Sequence, residues 1–115
     1  MDRDKKNYID LDVWKGARVL SKEVCLASSQ FPSEEKFGLT SQIRRAVVSI
    51  PSNIAEGCAR NYPKDSIQFF HTARGSIYEV ETPLYLAFDL DFISKTYLSV
   101  LLEKLETTRN CLMDL

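Results

Sequence analysis

Apolar residues recur at steps of three and four in four separate stretches of the chain, which is the spacing of one side of an α-helix. The first stretch is marked by Val13, Ala17, Leu20, Val24, Ala27 and Phe31. Stripes of this kind predict helices over roughly 11–29, 39–59, 63–90 and 95–115, and no strands. Four such helices joined by short loops predict an all-α, antiparallel up-down-up-down four-helix bundle.

Single residues indicate where three of these helices begin. Asp10 or Asp12 is the expected N-terminal cap of the first helix. Pro63 suits the first turn of the third helix, and Ser94 is the expected cap of the fourth.

The second stretch, GLTSQIRRAVVSIPSNIAEG (residues 38–57), holds a proline where a helix interior is expected. Proline lacks a backbone N–H, so Pro51 leaves the carbonyl of Val47 without its helical donor, at a cost of about 3 kcal/mol in an ordinary helix. Two interpretations fit: one kinked helix, or two helices with Asn53 and Glu56 forming a capping box on the second. We favour one kinked helix, because the apolar stripe keeps its phase across the proline.

Serines and glycines near this proline suggest how a bend is accommodated. We expect Ser49 and Ser52 to help satisfy backbone groups around Pro51. Gly57 is expected to allow close approach of a neighbour, either the third helix near Gly75 or another subunit.

Length and charge place the chain among ordinary globular proteins. Its 115 residues predict a single domain over 1–115, and its net charge of −1 gives no overall attraction to polyanions. The three cysteines are dispersed, which disfavours a disulfide framework. The charged N-terminus is unlike a signal peptide, and no run of eighteen apolar residues predicts a membrane span. We therefore expect a cytoplasmic chain with no membrane contact.

Residues that carry common enzyme chemistry are scarce. A di-iron bundle needs Glu-x-x-His motifs, but the one histidine, His71, follows Gln68 at that spacing. Glu79 and Glu81 are two apart and point to different sides of a helix. We expect no metal, no cofactor, no small-molecule substrate and no catalytic residue. A small ribonuclease resembling the HEPN type is the enzymatic alternative, although Arg60 and His71 lie too far apart for its Arg…His motif.

Charged residues in the two central helices form the candidate site. The first interpretation is an ion-pair network that fixes the register of helices or subunits. Its members are Arg44, Arg45, Glu56, Arg74, Glu79 and Glu81. The second is a phosphate-binding surface for RNA or DNA. Its members are Arg44, Arg45, Arg60, Lys64 and Arg74.

Two segments, GLTSQIRRAVVSIPSNIAEGCAR (38–60) and FFHTARGSIYEVET (69–82), resemble the 23S rRNA-intervening sequence protein family. That family includes the accessory variability protein of diversity-generating retroelements. The resemblance extends from LDVWKGARVLSKEV (11–24) to LDFIS (90–94). Its characteristic residues appear in the expected order: Trp14, Phe31–Pro32, Gly38–Leu39, Gln42, Arg44–Arg45, Ser49, Pro51, Asn53 to Gly57, Arg60, Gly75–Ser76, Glu79 and Glu81.

The resemblance implies a four-helix bundle that assembles as a ring-like homopentamer and has no known enzymatic activity. Apolar residues outside the main stripes agree with an interface. These are Trp14, Val48, Tyr78, Tyr85 and Phe88. We expect a non-catalytic adaptor for a protein or nucleoprotein partner, with direct nucleic-acid binding as the alternative.

Overall fold

Four α-helices account for most of the structure, a computed structural model that describes residues 7–115. They are α1 (Asp12–Ser28), α2 (Leu39–Cys58), α3 (Pro63–Asp89) and α4 (Lys95–Met113). Two short 3-10 turns, at Tyr8–Asp10 and Ser33–Glu35, complete the secondary structure, and residues 7–115 contain no strand. The all-α prediction is confirmed, and the predicted helix ends lie within two residues of the observed ones. The predicted domain of 1–115 begins in residues 1–6, outside the described residues.

Local signals in the sequence explain where the helices begin. Ser94 caps α4 as predicted, its Oγ accepting the Tyr97 N–H at 3.1 Å, and Pro63 occupies the first position of α3. Asp10 or Asp12 is the expected N-terminal cap of α1, but Leu11 holds the cap position and makes no side-chain hydrogen bond there. The reason is that the 3-10 turn at Tyr8–Asp10 runs directly into α1, so Asp10 is already inside a turn.

A Schellman motif ends α3. Asp91 adopts a left-handed conformation (φ 64°), and the Phe92 N–H reaches back to the Ala87 carbonyl at 2.8 Å. The chain then turns so that the Phe92 ring packs against Phe31, with ring centroids 5.5 Å apart. This contact fixes the short connection from α3 into α4.

The helices surround one apolar core in the cyclic order α1–α2–α3–α4. Each helix packs against its two neighbours in that order, and within the described chain no close backbone contact joins α1 to α3 or α2 to α4. The stripe predicted for the first helix is entirely buried, and those of the others are mostly so. Leu115 is the clear exception, half exposed because α4 ends before it. The α2–α3 side and the α1–α4 side are consequently opposite sides of the molecule.

Helix α2 runs unbroken through Pro51, so the single-helix interpretation is right and the two-helix alternative is wrong. The carbonyl that proline leaves without a donor, that of Val47, lies 3.1 Å from the hydroxyl of Ser21 on α1. The same hydroxyl lies 2.8 Å from the Ala17 carbonyl, which already accepts a helical N–H. Ser49 and Ser52 were expected to satisfy backbone groups around Pro51. This expectation is wrong for the Val47 carbonyl, because the donor comes from Ser21 on the neighbouring helix α1.

Ser21→Ala should therefore destabilise the fold by about 1–3 kcal/mol, since it leaves the buried carbonyl of Val47 without a hydrogen-bond donor. The cost should shrink in a Pro51→Ala background, where residue 51 regains an N–H that reaches Val47. Urea unfolding of the wild type, the two single variants and the double variant measures this coupling. An equal cost of Ser21→Ala in both backgrounds would show that Ser21 does not serve the carbonyl left by proline.

The two glycines named with the bend have different surroundings. Gly57 is buried, and a Cβ there would lie 2.8 Å from Cδ1 of Phe70 on α3 and closer still to Cε1 of the same ring. Gly75 is exposed, and a Cβ there would meet nothing within 4 Å. The close approach of α2 and α3 thus depends on Gly57, while the suggested approach near Gly75 is wrong within the chain.

Candidate functional site

The charged residues predicted as a network are divided among different partners. Glu56 pairs with Arg60 at 2.6 Å, and Glu81 pairs with Arg109 at 2.9 Å. Neither is bound by the candidate arginines Arg44, Arg45 and Arg74, none of which forms an ion pair in the described chain. The expected pairing of these three arginines with Glu56 and Glu81 is therefore wrong: the two carboxylates bind Arg60 and Arg109 instead.

Arg44 binds the end of α1 rather than a carboxylate. Its Nε donates to the Ser28 Oγ at 2.8 Å, and its Nη2 donates to the Cys25 carbonyl at 3.2 Å. The Cys25 carbonyl also accepts the Ser29 N–H at 3.1 Å, so Arg44 adds a second donor to it. A cation at the C-terminal turn of a helix also interacts favourably with the helix dipole. Arg44 is therefore a structural residue that ties α2 to the C-terminal turn of α1.

Arg45, the next residue, points instead into a groove between the outer sides of α2 and α3. This α2/α3 groove has a volume of about 530 Å³ and is lined by Phe37, Gln42, Arg45, Ser49 and Glu79, among others. Arg45 and Glu79 are both exposed, and neither side chain has a hydrogen-bond or ion-pair partner among residues 7–115. Phe37 at its edge is 90% exposed. The groove thus offers an unpaired cation, an unpaired anion and an uncovered aromatic ring.

The floor beneath this groove is held by a chain of hydrogen bonds between α2 and α3. Asn53 Nδ2 donates to the Ser49 Oγ at 2.9 Å, and the Ser49 and Ser76 hydroxyls are 2.7 Å apart. Ser76 donates to the Thr72 carbonyl at 3.1 Å, so Ser49 is left to donate to Ser76. These bonds explain the Ser and Asn residues near Pro51: they fix the register of α2 on α3.

Arg74 lies away from the α2/α3 groove. Together with His71 it lines a small cavity of about 180 Å³ whose other walls include Ile67, Phe70 and Leu112. Arg74 is exposed and, in the described structure, makes no side-chain hydrogen bond or ion pair.

The five candidate phosphate-binding residues are not brought together. Arg44 is engaged at α1, and Arg60 is bound to Glu56 while its guanidinium stacks 4.4 Å from the Phe69 ring centroid. Arg60 and Arg74 line adjoining cavities that share Ile67, Phe70 and Leu115, whereas Arg45 lines the α2/α3 groove. Lys64 lies exposed in the first turn of α3. The five candidates therefore do not form one basic surface among residues 7–115.

The ion pair between Arg109 and Glu81 was not predicted from the sequence. Arg109 on α4 bonds Glu81 on α3, with both side chains about one fifth exposed, and its guanidinium lies 5.1 Å from the Tyr78 ring centroid. The hydrogen bond to Glu81 raises the pKa of Arg109 above its ordinary value. The partners are 28 residues apart, a separation at which helical periodicity carries no information about pairing.

Several large apolar side chains remain uncovered. Val48, Tyr78 and Tyr85 are 49%, 52% and 50% exposed, as expected for residues outside the stripes. Trp14 and Phe88, grouped with them from the sequence, are partly buried against the core instead. Exposed apolar surface of this kind is common at protein interfaces.

Few residues in the described part of the chain are placed for metal binding or nucleophilic catalysis. No group of three His, Cys, Asp or Glu residues is placed to hold a metal ion in residues 7–115. Cys25 and Cys58 are half-buried and Cys111 is exposed, all with free thiols. Burial raises the pKa of the Cys58 thiol, which keeps it protonated and poorly nucleophilic. None of the described helices combines the length and hydropathy needed to cross a bilayer.

Comparison with known protein families gives a match over most of the chain. The model of the 23S rRNA-intervening sequence protein family matches residues 9–114, nearly the whole chain. No curated protein sequence matches the chain significantly.

Proposed function

The chain belongs to the 23S rRNA-intervening sequence protein family, and from this membership we propose that it is a non-catalytic, oligomeric adaptor for a protein or nucleoprotein partner. The observation that carries the proposal is the uncovered surface of an otherwise well-packed fold. Phe37, Val48, Tyr78 and Tyr85 are half exposed or more. Aromatic side chains are enriched at protein interfaces, where their burial supplies binding energy.

The assembly in this proposal is a ring-like homopentamer of up-down-up-down bundles in the cytoplasm. The short connections and the cyclic packing order of the helices support the up-down arrangement. The two grooved sides of the molecule support contacts to two neighbours, as a ring requires.

The adaptor role is preferred over direct RNA or DNA binding because the basic side chains are dispersed. Of the five candidate cations, Arg44 and Arg60 are occupied within the chain. Arg45, Lys64 and Arg74 remain available, and Arg45 lines a different groove from Arg74. A chain of net charge −1 adds no long-range attraction to a polyanion.

Fluorescence anisotropy with a labelled 30-nucleotide single-stranded RNA tests this preference. An adaptor should leave the probe largely unbound at 50 mM and at 200 mM salt. A direct binder making many phosphate contacts should bind at 50 mM salt and lose roughly a thousandfold in affinity at 200 mM. Such a salt dependence would overturn the adaptor assignment in favour of nucleic-acid binding.

The same samples test the ribonuclease alternative. Gel analysis of the RNA after incubation should show the intact probe. Cleavage that disappears in a His71→Ala variant would contradict the non-catalytic proposal, because His71 is the histidine available for general acid–base chemistry.

A further inference from the structure

A second groove lies on the side of the molecule opposite to the α2/α3 groove. This α1/α4 groove has a volume of about 430 Å³ and is lined by Lys15, Gly16, Val19, Glu103 and Thr107, among others. Val19 is 53% exposed, and a Cβ on Gly16 would meet nothing within 4 Å, so the floor of the groove is open to a neighbour. Each side of the molecule therefore carries an uncovered groove with apolar and charged walls.

We propose that the α2/α3 groove of one copy receives the α1/α4 side of the next copy, with Arg45 facing Glu103 across the contact. This inference rests on the proposed homo-oligomer and assigns its interface. The occupant is a second copy of the chain because each groove offers one cation and one anion with no ion pair among residues 7–115. These are Arg45 and Glu79 on one side and Lys15 and Glu103 on the opposite side.

The charges support this pairing. Arg45 and Glu103 are both exposed, and neither side chain has a hydrogen-bond or ion-pair partner in the part of the chain that the structure describes. The residue next to each of them in sequence binds within the chain instead. Arg44 donates to the Ser28 hydroxyl, and Lys104 pairs with Glu23 at 3.3 Å. Adjacent residues on the same helices thus differ, one binding within the chain and the other pointing outward.

Arg45 and Glu103 also lie at similar heights along the helix axes. Val47 meets Ser21, and Arg44 reaches Cys25 and Ser28, so Arg45 lies near the level of residues 23–25 of α1. Glu23 in turn pairs with Lys104, the residue next to Glu103. Arg45 and Glu103 therefore lie within about one helical turn of each other in height.

Equal height on opposite sides is what a closed ring requires. Rotation about an axis parallel to the helices moves each residue to a neighbour's position at the same height. A head-to-tail contact between the α2/α3 groove and the α1/α4 side would then bring Arg45 directly opposite Glu103. It would also cover Phe37 and Val19, which the isolated chain leaves exposed.

Charge reversal tests the interface. Arg45→Glu, Glu103→Arg and the double variant R45E/E103R are compared with wild type by size-exclusion chromatography with light scattering, at 1 to 100 μM. Each single reversal should weaken association at least tenfold, because it places like charges opposite each other. The double variant should recover most of the wild-type mass, because it restores an opposite-charge pair.

Controls distinguish a loss of this interface from misfolding of the variants and from the absence of any oligomer. Far-UV circular dichroism should be unchanged in every variant, since neither residue has a partner within the chain. Arg74→Glu, a matched reversal outside both grooves, should keep the wild-type mass. A wild-type oligomer that both single reversals leave intact would overturn the interface alone, as would a double variant no better than the singles. A monomeric wild type would overturn the proposed assembly and the interface with it.

Discussion

Gly57→Ala should destabilise the protein, whereas Gly75→Ala should stabilise it, although both glycines lie inside helices. Alanine is favoured over glycine by about 1 kcal/mol in a helix interior, and at the exposed Gly75 nothing opposes that gain. At Gly57 the added methyl group would collide with the Phe70 ring, and overpacking of this kind costs about 1–3 kcal/mol. The propensity gain is common to both variants, so their free energies of unfolding should differ by the overpacking cost, about 1–3 kcal/mol.

Urea unfolding of both variants measures this difference, and a third variant locates its cause. Phe70→Leu shortens the side chain that meets residue 57, so the cost of Gly57→Ala should fall in that background. Equal stabilisation by Gly57→Ala and Gly75→Ala would show that α2 and α3 do not depend on a glycine for their close approach.

Arg44→Ala should lower the melting temperature, while Arg74→Ala should leave it nearly unchanged. Arg44 donates to the Ser28 hydroxyl and to the Cys25 carbonyl, and hydrogen bonds from a charged group contribute about 1.5–3 kcal/mol. A loss of about 2 kcal/mol corresponds to a fall of roughly 8 °C in a domain of this size. Arg74 is exposed without such contacts, so its truncation should stay within about 0.5 kcal/mol.

Thermal unfolding of the two variants beside wild type decides the role of Arg44. Arg44→Lys is the matched control, because it keeps the positive charge near the end of α1 but lacks the planar fork that reaches two acceptors. It should melt between wild type and Arg44→Ala. An unchanged melting temperature in Arg44→Ala would mean that its contacts with α1 contribute nothing to stability.

The helices could be predicted from the sequence because their apolar spacing is a local property. Val13, Ala17 and Leu20, for example, repeat along one side of α1, and all three are buried. Single residues predicted the starts of α3 and α4 in the same local way, Pro63 for α3 and Ser94 for α4. The predicted cap at Asp10 failed because a 3-10 turn, which the apolar spacing did not indicate, directly precedes α1.

Partners across helices could not be predicted in this way. The sequence marked Pro51 as a problem and Val47 as the stranded carbonyl, but nothing local points to Ser21, which lies 26 residues from Val47. Arg44 was correctly singled out as unusual, yet its acceptors are a carbonyl and a hydroxyl rather than a carboxylate. Periodicity tells which side of a helix a residue occupies, whereas the identity of its partner depends on how the helices are placed.

The candidate site shows the same division. The sequence named Arg45 and Glu79, and the structure places both in one groove without partners within residues 7–115. It gave no reason to connect Arg45 with Glu103, because that pairing depends on the order of the helices around the core and on two polar contacts of α1.

The mass of the 115-residue chain in solution tests the proposed assembly most directly. Sedimentation velocity at 1 to 100 μM should give one species at about five times the 13.2 kDa chain mass. Such a particle would bury Phe37 and Val19, which the isolated chain leaves exposed, at the contacts between copies. A single species at 13.2 kDa across this range would contradict the proposed ring.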